Sequence, residues 1–130
     1  MIYSLLVVSS PASGQCAMTA ARFAQAVLAR GHSINRVFFL DAGTSTGSAT
    51  AVFPQDEDDR LAPWIELAER DKVELILCIS SAIKYGMLDE TEARRYERAA
   101  ATVHPAFTIS GLGQLVDAAS AADRLITFGG

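Results

Sequence analysis

Cysteine is scarce in this chain. Cys16 and Cys78 are the only two, they lie far apart, and no C-x-x-C pair occurs. That excludes a disulfide framework and fits free thiols in a reducing compartment. Histidine is equally rare, with only His32 and His104, so ligand spacing for a zinc site is missing and no metal is expected. Basic residues are outnumbered, 11 Lys and Arg against 15 Asp and Glu, which leaves a net charge of −4 and no broad cationic face for direct nucleic-acid binding. No run approaches the roughly 20 apolar residues of a membrane span. The apolar N-terminus, Met1 to Val8, carries no basic leader, so a cytoplasmic location is expected. There is no internal repeat and no Gly-Lys-Ser/Thr phosphate loop.

What is present is a balanced globular composition, 50% hydrophobic and 20% charged over 130 residues, enough to bury a core as one domain spanning 1–130. Short apolar runs alternate with segments of helical period. Ile2 to Val8 reads as a strand, and Ala20, Phe23, Ala24, Val27 and Leu28 form one helical stripe that Gly31 closes as a C′ residue. Val37 to Leu40 is the centre of a second strand. Asp41 to Asp59 has no periodicity and reads as a long loop ending in the acidic run Asp56–Asp59. Leu61, Trp64, Ile65 and Ala68 restore helical spacing, with Asp59 as cap and Pro63 in the first turn. Val73 to Cys78 is a buried strand of parallel type. Asp89 and Glu92 open a helix expected to run to about Ala100, Ala106 to Ile109 is a strand, Ser110 to Gly113 starts a last helix, and Asp123 to Phe128 is a fifth strand. This alternation predicts an α/β fold, a three-layer doubly wound domain with a five-stranded parallel sheet.

Such sheets carry their chemistry at the carboxyl ends of the strands. Four segments are expected on that edge: Ser9 to Gln15 with Cys16 beside it, the loop after Leu40, Cys78 with Ser80 and Ser81, and Ser110 to Gly113. Cys78 has two readings, a small buried hydrophobe or a nucleophile whose thiolate is favoured where a strand ends and Ser80 and Ser81 cap a new helix. No neighbouring His or Asp completes a triad, and only Lys84 follows where a phosphatase loop would place Arg. Cys16, one turn before Ala20, reads as a packed helix residue. Ser9 to Gln15 reads as a turn, with an anion or flavin cradle as the rival reading. His32 and His104 fall at strand entries, on the opposite edge. The loop after Leu40, Trp64 and the pair Met87–Leu88 are expected to offer surface to other subunits.

Several stretches together resemble a known family. They are Ser10-Pro11-Ala12, Ala24-Gln25-Ala26 before Gly31-His32, Val37-Phe38-Phe39, the Cys78 strand through Gly86, Asp89 to Ala93, and Phe107 to Gly113. Across nearly its whole length the chain resembles the DsrE/TusD sulfurtransferase subunits, most closely the DsrE subunits of DsrEFH complexes. The resemblance implies a persulfide carried on Cys78 as the catalytic residue, and no cofactor. It also implies a heterohexamer with DsrF-like and DsrH-like subunits, a persulfide donor protein, and delivery to a DsrC/TusE-like acceptor. No role carries over to Cys16. Two pathways share this chemistry, oxidation of stored sulfur and, for TusD-like members, thiolation of tRNA; overall similarity favours the first.

Overall fold

The computed structural model describes residues 1–129. Five strands form one all-parallel sheet: β1 (Ile2–Val7), β2 (Ser33–Phe39), β3 (Leu75–Cys78), β4 (Phe107–Ser110) and β5 (Arg124–Phe128), in the spatial order β4-β3-β2-β1-β5. The chain steps outward from β1 to β4 and then returns across the sheet to place β5 on the far side of β1. Helices α1 (Cys16–Ala29), α2 (Ala62–Arg70), α3 (Ile79–Lys84), α4 (Glu90–Arg95) and α5 (Gly113–Ala121) fill the connections. The α/β architecture expected from the alternation is the one observed.

Side chains alternate across the strands, and the alternation divides the core in two. Leu5, Val7, Val37, Phe39, Leu75, Leu77 and Phe107 point to one face and meet Ala17, Met18, Ala20, Ala21 and Ala24 of α1 and Trp64 and Leu67 of α2. The alanines let α1 lie close to the strands. Phe38, Ile76 and Cys78 point the other way, where only Leu6, Leu40 and Leu115 of α5 join them. That second face is partly polar. Ser4 Oγ donates to the carbonyl of Ala118 at 2.9 Å and Arg36 to that of Gln114 at 2.9 Å, so hydrogen bonds join Leu115 and the buried Ala118 in holding α5 to the sheet.

Three helices end alike. Each has a C′ residue at positive φ, Gly31 (82°) after α1, Gly86 (74°) after α3 and Glu97 (54°) after α4. The following N–H then reaches back to close a Schellman motif, His32 to Val27, Met87 to Ala82 and Arg98 to Ala93. Gly31 fulfils its expected role. The third case shortens the helix expected to reach Ala100: α4 stops at Arg95, because Glu97 adopts a left-handed conformation that its residue type does not announce. At the other end of α4, Asp89 Oδ1 accepts the Glu92 N–H at 2.8 Å, as the capping pair required.

The segment expected as an open loop is half structured. Asp41–Gly47 forms a 3-10 helix in which Gly43, Thr44, Thr46 and Gly47 are buried against β3 and α3. Its small residues are needed for contact: a Cβ on Gly43 would lie 2.1 Å from the Val7 carbonyl oxygen. The acidic run is used locally. Asp59 Oδ1 accepts the N–H groups of Leu61 and Ala62, while Glu57 pairs with Arg60 at 3.4 Å and Asp58 with Arg22 at 3.7 Å. Trp64, Met87 and Leu88 are buried at 1%, 3% and 7% exposure, which removes them as subunit surface; the exposed apolar side chains include Val52 in the segment after Leu40, Leu112 and Val116 at the start of α5, and Tyr85 and Tyr96 near α3 and α4. No helix among the described residues is long and apolar enough to cross a membrane.

Candidate active site

Cys78 is the last residue of β3 and the N-cap of α3, with extended φ and ψ of −64° and 122°. Ser80 and Ser81 therefore occupy the first turn of α3, one step inside the cap position expected for them. The placement matters because the N-cap side chain faces the free N–H groups of that turn. Ser80 Oγ lies 3.4 Å from Sγ. β3 runs beside β4 with Cys78 opposite Ser110, so the Ser110 to Gly113 turn leaves the sheet next to the sulfur. Leu115, in the first turn of α5, and Leu40 pack against the cluster that Cys78 forms with Phe38 and Ile76.

Two opposing effects set the acidity of this thiol. Burial raises its pKa; the Ser80 hydroxyl, the Ser81 backbone N–H and hydroxyl, and the Ser80 backbone N–H lower it, and together they outweigh burial. The net result is a thiol more acidic than an ordinary cysteine. Because α3 has only six residues, these named donors, rather than a long helix dipole, account for the effect. Cys78 is 1% exposed, so the sulfur lies just under the surface, with the exposed Ser80 beside it. Sequence reasoning missed Leu40 and Leu115 as neighbours of the cluster that holds Cys78, since they are remote in the chain and unremarkable in type.

The lowered pKa has a sign that can be measured. The alkylation rate of Cys78 in a Cys16→Ser background should rise through a midpoint below the ~8.5 of a free cysteine. Ser80→Ala removes a donor to the thiolate and should move that midpoint upward. A midpoint at or above the free value in the parent, or one unmoved by Ser80→Ala, would remove the hydrogen-bond account.

The other expected residues are dispersed. Cys16 is half-buried at the start of α1, on the opposite side of the sheet from Cys78. The Ser9 to Gln15 turn follows β1, two strands from β3 or roughly 10 Å at ordinary strand spacing. It is closed from within: Arg60 donates to the carbonyls of Pro11 and Gly14, Ser13 N–H bonds Ser10 O, and Ala12 N–H bonds Ser10 Oγ. The Arg60 guanidinium thus ties the turn together through two of its carbonyls. His32 and His104 do lie on the opposite edge, His32 Nδ1 by the N-terminal amine at 3.1 Å and His104 Nδ1 accepting the Ala106 N–H at 3.0 Å.

A parallel α/β sheet with a cysteine at a strand end, surrounded by hydrogen-bond donors, is a setting suited to thiol chemistry. Comparison with known proteins makes the assignment specific. Residues 1–128 match the model of the DsrE/DsrF-like family, and the chain belongs to that family. It is 41% identical over 129 residues, 99% of both chains, to a protein named "Putative sulfurtransferase DsrE" from Allochromatium vinosum. It is 45% identical over 120 residues, 92% of both chains, to a sulfurtransferase TusD homolog of Pseudomonas aeruginosa. It is also 40% identical to the sulfurtransferase TusD of Serratia proteamaculans, over 98% of this chain and all of that one. The fold is shared with the ychN protein from E. coli, TM-score 0.77 at 15% identity, covering 98% and 99% of the two chains. These relatives place the chain in a family of sulfurtransferases and sulfur-relay proteins.

Proposed function

We propose that the chain is a sulfur-relay subunit that carries a persulfide on Cys78. The observation supporting this most directly is the N-cap placement of Cys78, where serine and backbone donors favour its thiolate. In the loading step the Cys78 thiolate attacks the outer sulfur of a donor persulfide. A new S–S bond forms to that sulfur, the donor's own S–S bond breaks, and the donor thiolate leaves. In delivery an acceptor thiolate attacks the same outer sulfur and Cys78 is the leaving thiolate. Neither step has a net change of oxidation state or needs a dedicated base. A low thiol pKa assists both, by populating the nucleophile in the first and stabilising the leaving group in the second.

The family resemblance supports work in a heterohexamer with DsrF-like and DsrH-like subunits in the cytoplasm, a persulfide donor protein, and a DsrC/TusE-like acceptor. The exposed pair Leu112 and Val116, one turn apart on α5, supplies an apolar surface suited to a homologous subunit. Oxidation of stored sulfur is the favoured pathway, with tRNA thiolation as the alternative, since both TusD and DsrE proteins are similar over nearly the full chain.

Peptide mass spectrometry after incubation with a persulfide donor tests the carrier role. One added sulfur on the Cys78 peptide is the expected result. A loaded Cys16 peptide with Cys78 unmodified would overturn the assignment.

A further inference from the structure

Arg36 is out of place by residue type. It is the fourth residue of β2, the central strand of the sheet, and its side chain is only 15% exposed. A neutral side chain there would need no partners, whereas a guanidinium must be paired to be tolerated. The partners come from two other parts of the chain. One terminal nitrogen donates to Glu74 Oε2 at 3.1 Å, just ahead of β3, and the other to the Gln114 carbonyl at 2.9 Å, in the first turn of α5. Nε is buried and has no partner among the described residues, so the side chain reaches α5 at the expense of its own third donor position.

That bond bears on Cys78, which is so nearly buried that a reagent reaches it only when a neighbour moves. Most neighbours of its cluster are fixed. Phe38, Ile76 and Leu6 lie in strands paired on both sides, and Leu40 is tied by its N–H to the Val7 carbonyl and by its carbonyl to the Gly43 N–H. Leu115 differs. It rides on the first turn of α5, whose one hydrogen bond to the sheet among the described residues is that of Arg36. Between Ser110, which lies opposite Cys78, and this turn come Gly111 and Leu112, with Gly113 the first residue of α5. Neither glycine has a positive φ, and a Cβ on either would meet nothing within 4 Å, so neither conformation nor contact calls for glycine there. What the two supply is backbone freedom on both sides of Leu112.

We propose that Arg36 is a positioning residue: it latches the first turn of α5 against the face that holds Cys78, and Gly111 and Gly113 form the hinge on which that turn swings away to admit a reactant to the sulfur. Farther along α5 the bond from Ser4 to the Ala118 carbonyl stays in place, so only the near end opens. In the open form the guanidinium keeps Glu74 and gives up one carbonyl to water, which makes the opening local rather than an unfolding. The inference concerns access alone and holds whatever the sulfur carries.

The test is the rate at which N-ethylmaleimide at low concentration labels Cys78 of the full chain in a Cys16→Ser background, since that rate follows the population of the open form. Arg36→Met keeps a long apolar stem but cannot donate, and should label faster by about tenfold or more. The pH midpoint of labelling should stay at the parent's value, because the Ser80 and Ser81 donors are untouched, and the rate should depend only weakly on urea, as a local opening does. Gly111→Ala with Gly113→Ala should act in the opposite direction, slowing labelling by roughly threefold or more by removing conformations that glycine alone reaches readily. Loss of structure cannot slow labelling, so the alanine pair decides the matter even if Arg36→Met fails to fold. Three results would each overturn the latch and hinge. They are a parent labelled as fast as the urea-unfolded chain at a pH above both midpoints, a folded Arg36→Met protein labelled at the parent rate or with the steep urea dependence of global unfolding, and an alanine pair labelled no more slowly than the parent.

Discussion

Cys78→Ser is expected to abolish sulfur loading and delivery while leaving the fold and the subunit contacts intact. Serine keeps the backbone and nearly the volume of cysteine, and its hydroxyl has Ser80 Oγ, 3.4 Å from the present sulfur, as a hydrogen-bond partner. What it lacks is a sulfur able to hold another, since no persulfide forms on oxygen. Labelled sulfur followed from a persulfide donor through the protein to a thiol acceptor should fall to the uncatalysed background in this variant. Cys16→Ser should transfer as the parent does, because Cys16 sits on the other side of the sheet. Cys78→Ala guards against a misplaced hydroxyl and should give the same loss. Undiminished transfer by a folded Cys78→Ser protein would end the persulfide mechanism, and loss confined to Cys16→Ser would transfer it to the other cysteine.

The largest stability effect is expected at Trp64. It is 1% exposed at the junction of α2 with the sheet, edge-on to Phe39 with ring centroids 5.1 Å apart, and Phe39 in turn meets Phe107 at 5.6 Å. Trp64→Ala removes the largest buried side chain and leaves a cavity that α2 cannot readily collapse, for a loss of about 3–5 kcal/mol. Against a total of about 5–15 kcal/mol for an ordinary domain, that is a large fraction. Trp64 is the only tryptophan, so unfolding must be followed by circular dichroism rather than by fluorescence. Trp64→Phe, which keeps a ring against Phe39, should recover most of the loss. A decrease below about 1 kcal/mol in Trp64→Ala would mean that the aromatic cluster is not the keystone of this face.

The parts of this fold that could be read in the sequence are those governed by periodicity and by glycine. The short apolar runs of β1 and β2, the stripe on α1 and the stop at Gly31 all follow from local composition, side-chain spacing and backbone freedom. Asp41–Gly47 escaped because its residues are small and polar and are buried by contact rather than by hydrophobicity; Gly43 is set by its distance to the Val7 carbonyl, a quantity that no local pattern carries. The end of α4 escaped because Glu97 takes the position that glycine fills after α1 and α3. Trp64, Met87 and Leu88 are expected as apolar surface for other subunits, yet tertiary packing within the chain buries all three. At the site, the strand end and the serines beside Cys78 were visible. Leu40 and Leu115 beside the cluster of Phe38, Ile76 and Cys78 were not, because their meeting depends on the crossover that carries α5 back across the sheet.

The unequal packing of the two faces bears on how a buried sulfur is reached. Separating α1 and α2 from the strands exposes the larger aliphatic and aromatic cluster, whereas lifting α5 exposes the smaller one around Phe38, Ile76 and Cys78 and breaks polar bonds, such as Ser4 to Ala118 and Arg36 to Gln114, that water replaces in kind. The molecule therefore has a graded stability, with its lowest-energy excursion on the Cys78 side. On the relay reading, a rarely lifted α5 would make exchange paced by the protein and not by the chemistry at sulfur, and would shield a loaded persulfide from small thiols in solution for as long as it stays in place.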